Sequence, residues 1–127
     1  MDKSINRDGL RYAREKLGVA VWKLATGIDG IKDRLSDAYI ELAIIQESDL
    51  PIEFVIDWKE IRNDLTSGKM QYITQVKDGK LVKEPVGKLA STLRFMRKKK
   101  AVDIAKRICH LEARLDRYIK VLDNSAS

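Results

Sequence analysis

Cys109 and His110 are the only thiol and the only imidazole in this 127-residue sequence. A cysteine beside a basic nitrogen suggests thiolate chemistry. On a helix, however, adjacent side chains point about 100° apart and do not face each other, and no third group is placed to orient such a pair. One Cys and one His cannot assemble a structural zinc site or an internal disulfide. Asp33, Asp37 and Glu41 recur every fourth residue and would line one helical face. Two or three carboxylates there could hold a divalent cation, but neither a calcium-loop pattern nor a Glu-x-x-His motif accompanies them. The expected reading is a solvated face. Gly9, Gly18, Gly27 and Gly30 fit neither a phosphate loop nor a dinucleotide turn. No catalytic residue, metal site, cofactor or small-molecule ligand is expected, and the chain reads as a non-enzyme.

Charge carries the main functional signal. Residues 1–68 hold ten basic and thirteen acidic side chains, a net of −3, whereas residues 69–127 hold fifteen and six, a net of +9. The excess centres on Arg94, Arg97, Lys98, Lys99, Lys100, Lys106 and Arg107, opposed between residues 94 and 107 only by Asp103. Such a cluster would gain affinity for nucleic-acid phosphates by counterion release, with non-specific backbone contact expected rather than base readout. Phe95 is the one aromatic residue interleaved in it. The same cluster also suits a solvated helix start, or contact with the acidic surface of helices two and three.

Arg62-Asn63, within Trp58-Lys59-Glu60-Ile61-Arg62-Asn63-Asp64-Leu65, resembles the Arg-polar start of the motif of HEPN ribonucleases, a family of small helical bundles. The resemblance implies an Arg–His pair acting on an RNA phosphodiester. The sequence departs from the motif where its His belongs, at Ser67, Gly68 and Lys69. None of those side chains titrates near neutrality in its ordinary state. A solvated Arg62 near Glu60 and Asp64 is expected instead.

These residues need elements to position them. The first helix is expected over 8–26, with Asp8 as cap, a stripe of Leu10, Ala13, Leu17, Ala20, Val21 and Leu24, and a left-handed stop at Gly27. The second is expected over 30–47, capped by Asp29 and burying Ile31, Leu35, Ala38, Tyr39, Leu42 and Ile45, with Ile40 and Ile44 widening the stripe. Pro51 opens the third, over 51–67, carrying Phe54, Trp58, Ile61 and Leu65. The last, over 98–122, repeats Ile104, Ile108, Leu111, Leu115, Tyr118 and Leu122 at alternating spacings of four and three, the pattern of a helix-pairing seam. Between the last two lies the insert 69–96. Asp78-Gly79 between β-prone runs is a hairpin signal, and the insert suits a hairpin and an irregular loop equally. Ser91 to Met96 fits a short strand, an extended connector or an early helical turn.

Arg14-Glu15-Lys16-Leu17, Ile31 to Ala38, Asp49-Leu50-Pro51 and Ile104 to Ile108 together look like the short uncharacterised helical proteins of bacteria. That likeness implies a helical fold and a bacterial or phage source, and no activity. The expectation is one all-α domain over 1–127, a four-helix bundle with an irregular or hairpin-like insert between helices three and four. The polar start Met1 to Asp8 has no apolar centre of a signal peptide. No run approaches the ~18–20 apolar residues of a membrane span. A cytoplasmic location without membrane contact is therefore expected. A protein interaction or self-association through the C-terminal seam is the leading functional expectation, and nucleic-acid binding through the basic cluster the alternative.

Overall fold

Asn6, rather than Asp8, starts the first helix: its side chain accepts the Gly9 amide at 3.0 Å, leaving Asp8 inside the first turn. The computed structural model describes residues 6–68 and 71–125. The chain is mostly helical: α1 (Arg7–Thr26), α2 (Ile31–Ile44), a single 3-10 turn (Glu47–Asp49), α3 (Ile52–Leu65), strands β1 (Gln71–Lys77) and β2 (Lys80–Val86), α4 (Lys88–Phe95) and α5 (Lys98–Ser125). Among the described residues no helix is long and apolar enough to cross a membrane.

Two helix ends differ from the sequence expectation, and one side chain explains both. Gly27 is extended (φ −64°), not left-handed. Arg34 reaches back from α2 and donates to the carbonyls of Leu24 at 2.7 Å and Asp29 at 3.0 Å. A guanidinium therefore satisfies the end of α1, and Gly30 rather than Asp29 caps α2. The 3-10 turn is closed by reciprocal hydrogen bonds between Gln46 and Asp49.

One core runs through the molecule. α1 contributes Leu10, Ala13, Leu17, Ala20 and Leu24; α2 Leu35, Ala38 and Leu42; α3 Phe54, Val55, Trp58, Ile61 and Leu65; and α5 Ala101, Ile104, Ile108, Leu111, Leu115 and Ile119. Ile40 and Ile44 are 57% and 44% exposed, so α2 buries a narrower stripe than expected. Polar pairs at seven-residue spacing flank the seams. Arg7 and Arg14 of α1 meet Asp123 and Asp116 of α5, and Asp57 and Asp64 of α3 meet Arg114 and Arg107 of α5. In both sets one partner's number rises as the other's falls, so α5 runs antiparallel to α1 and to α3. Lys16 and Lys23 of α1 converge on Glu41 of α2.

The stretch from 71 to 96 forms a hairpin followed by a helix. β1 and β2 pair antiparallel from Gln71↔Val86 to Lys77↔Lys80. Asp78 (φ 53°) and Gly79 (φ 75°) make the turn, both left-handed as a two-residue hairpin requires. Of the alternatives for Ser91 to Met96 the helical turn holds, extended into α4 from Lys88 to Phe95. Its eight residues are too few for periodicity to stand out, and only Ser91 and Leu93 are buried on it. Expected positions 69 and 70 of the insert lie outside the described residues.

Candidate functional site

The basic cluster falls where α4 hands over to α5. Leu93 and Met96 are buried and pin the joint to the core. Met96 turns extended (φ −74°, ψ 137°), and its N–H returns to the Leu93 carbonyl, which ends α4. The first hydrogen bond of α5 runs from the Ala101 amide to the Arg97 carbonyl. The buried stripe of α5 begins at Ala101 and Ile104, so Lys98, Lys99, Asp103 and Lys106 face outward. No acidic residue occupies the first turn of α5, where the exposed amides favour negative charge.

The structure divides the seven basic residues. Arg94, Arg97, Lys98, Lys99, Lys100 and Lys106 are exposed, and none makes an ion pair with a described residue. Arg94 stands 5.7 Å from the centroid of the Phe95 ring, itself 65% exposed. Arg107 does not belong to this free set. It is half-buried and lies 2.6 Å from Asp64 and 3.8 Å from Glu60, tying α5 to α3. The acidic surface of α3 thus takes one cation of the cluster and leaves six.

Beside these cations opens a cleft of about 460 Å³, lined by Ser67, Gly68, Ser91, Thr92, Phe95, Met96, Arg97 and Lys100. The end of α3 forms one wall and the α4–α5 joint the other. Thr92 Oγ1 holds the walls together, accepting the Gly68 amide at 2.7 Å while donating to the Lys88 carbonyl at 2.6 Å. Gly68 permits this approach, because a Cβ there would lie 2.7 Å from Thr92 Oγ1 and 2.8 Å from its backbone nitrogen. A second, open groove carries Lys98, Lys99, Val102, Asp103 and Lys106.

The apolar seam of α5 is turned inward. Ile104, Ile108, Leu111 and Leu115 are at most 1% exposed, and Tyr118 and Leu122 pack partly buried against the same core. Ile104, Ile108, Leu111 and Leu115 are spent inside the chain and offer no outer face, which corrects their assignment as an interface, while Tyr118 and Leu122 keep part of their surface outside. The other candidates are dispersed. Asp33 and Asp37 are exposed, while Glu41 is held by Lys16 at 3.8 Å and Lys23 at 3.0 Å, so two ammonium groups sit where a cation would bind. No group of acidic, His or Cys side chains suited to a metal occurs among the described residues. Burial, with the Glu112 carboxylate adding to it, raises the Cys109 thiol above its ordinary pKa, away from a thiolate. Arg62 stands over Trp58, its Cζ 4.7 Å from the ring centroid, with its Nε buried and unpaired.

Sequence reasoning found the cations but not the cleft. Gly68 reaches Thr92 across 24 positions, a contact with no local signal. No protein-family model, curated protein or solved structure matches the chain.

Proposed function

We propose that the protein binds nucleic acid non-catalytically through the α4–α5 joint, on a four-helix scaffold (α1, α2, α3 and α5) into which the hairpin and α4 are inserted. The reading takes it to act inside a cell, where a lone thiol stays reduced. The observation that carries the reading is the six exposed cations without carboxylate partners among the described residues. Cations along the α1–α5 and α3–α5 seams do have such partners. Lys98, Lys99 and Lys100 occupy a helix start that disfavours positive charge, by about 0.3–1 kcal/mol each, and a polyanion would relieve that repulsion. Titration with nucleic acid over a range of salt tests it. A log–log slope that flattens when Lys98, Lys99 and Lys100 become Ala is the expected result. Absence of binding at low salt would discard the reading.

A second reading, a protein-interaction module, rests on α3 rather than on the α5 seam. Ile52 and Ile56, one turn apart on α3, are 71% and 61% exposed, and paired apolar side chains on one helix face suit a partner surface. Sedimentation at several concentrations tests its self-association form. A ribonuclease reading centred on Arg62 draws no support from a guanidinium folded onto Trp58.

A further inference from the structure

We infer that the cleft between the end of α3 and the α4–α5 joint takes one phosphate of a single-stranded nucleic acid, with Phe95 as the platform on which the adjoining base stacks. This rests on the nucleic-acid reading and names the form of nucleic acid it concerns. Two observations meet at the cleft. Its lining includes two cations, Arg97 and Lys100, and no carboxylate. Ser67 and Thr92 line it as well, but their hydroxyls already donate to the Asp64 and Lys88 carbonyls, so a phosphate there is held by the charge of Arg97 and Lys100. Phe95, at its edge, is 65% exposed, although burying an aromatic ring would be favourable and the core lies one residue away at Met96. A ring left in water beside Arg94, Arg97 and Lys100 matches the combination used to hold single strands, a charged groove along the backbone and an aromatic face for each base. In a duplex the base faces are already stacked, and Phe95 would have no ring to meet. The volume of about 460 Å³ lies within the range of small-ligand clefts. Arg94, 5.7 Å from the Phe95 centroid, adds a guanidinium on the same surface.

Fluorescence anisotropy with a labelled oligothymidylate of about fifteen nucleotides, a duplex of equal length and a polyglutamate peptide separates the outcomes. The wild-type protein should hold the single strand more tightly than the duplex. Phe95→Leu, which keeps an apolar side chain but no ring, should weaken the single strand about ten-fold and the duplex less than two-fold. Phe95→Tyr should retain the wild-type affinity, and circular dichroism should show all variants folded. Arg97→Ala with Lys100→Ala should lower the single-strand salt slope by about 1–1.5. Equal binding of both nucleic acids, or an unchanged single-strand affinity in Phe95→Leu, would overturn the inference and leave the broader reading standing. Binding of polyglutamate as tight as that of either nucleic acid, or no binding of either nucleic acid at low salt, would overturn both.

Discussion

Arg107 and Asp64 form a 2.6 Å ion pair across the α3–α5 seam, and this contact sets Arg107 apart from the other six cations of the cluster. On one side Arg114 and Asp57 repeat the pairing two turns away. On the other, Lys100, Lys99 and Lys98 have no such partner among the described residues. Replacing Asp64 by Asn and Glu60 by Gln would free Arg107 from both its carboxylates. Arg107 and Asp64 are about one-third exposed, so the loss in stability should be small, about 0.2–1 kcal/mol. The freed cation should steepen the salt dependence of nucleic-acid binding by about 0.7–0.9 on a log–log scale. Denaturation and a salt titration of the Asp64→Asn, Glu60→Gln double variant check both, and an unchanged slope would show that Arg107 stays out of the patch.

Replacing Lys98, Lys99 and Lys100 by Ala should weaken polyanion binding and at the same time stabilise the protein. The three ammonium groups crowd the positive end of α5, and Ala is the stronger helix former. The summed gain should be about 1–2 kcal/mol, read as a higher Tm in thermal denaturation. Opposite movements of affinity and stability would be the mark of residues kept for binding.

The apolar stripes on α1, α3 and α5 were legible in sequence, because a 3.6-residue period states which side chains share a face. Leu17, Leu65 and Ile108 all fall where that period puts them, in the core. The helix ends were not legible. They depend on side chains reaching from other elements, such as Arg34 onto the Leu24 carbonyl. The α5 seam shows a related limit: alternating spacings of four and three define an apolar face without saying which surface covers it. For Ile104 to Leu115 the cover is the rest of the chain. The cleft was hidden for a third reason, that its two walls meet through the Gly68–Thr92 contact and through no periodic pattern.

Trp58 should matter more for its nitrogen than its size suggests. Leu42 lies in the last turn of α2, and the amide four residues on, that of Gln46, donates to Asp49 instead. The Trp58 indole N–H fills the gap, reaching the Leu42 carbonyl at 3.1 Å in a buried setting. Trp58→Phe keeps an aromatic ring but leaves that carbonyl without its donor. Chemical denaturation should show a loss of about 1–3 kcal/mol from the unmet carbonyl alone.

Cys109 should react slowly while the protein is folded. Burial first, and the Glu112 carboxylate second, raise its thiol pKa, and the thiolate is the reactive form. Alkylation by iodoacetamide at mildly alkaline pH should therefore be slower in the native protein than after unfolding in urea. The linkage has a definite sign. The unfolded thiol ionises first, so this group's contribution to stability is full below the unfolded pKa and is lost as pH rises through the folded one. Glu112→Gln should speed alkylation modestly, because burial stays in place.

Gly68→Ala tests whether the cleft depends on a close backbone approach. The added methyl would sit 2.7 Å from Thr92 Oγ1, 2.8 Å from Thr92 N and 3.0 Å from Thr92 Cα. Two of those atoms belong to the backbone of α4, so a rotamer change alone cannot make room. Either α4, and with it Phe95 and the joint that carries Arg97, or the Ser67–Gly68 wall of the cleft must shift. Overpacking of this kind costs about 1–3 kcal/mol, and the hydrogen bond from the Gly68 amide to Thr92 would lengthen with it. Nucleic-acid affinity should fall although no cation has been removed, and the salt slope should stay near that of the wild type because the number of charges is the same. A fall in slope equal to that of the Lys98–Lys100 variant would instead show that the cleft walls act only by holding the cations in place.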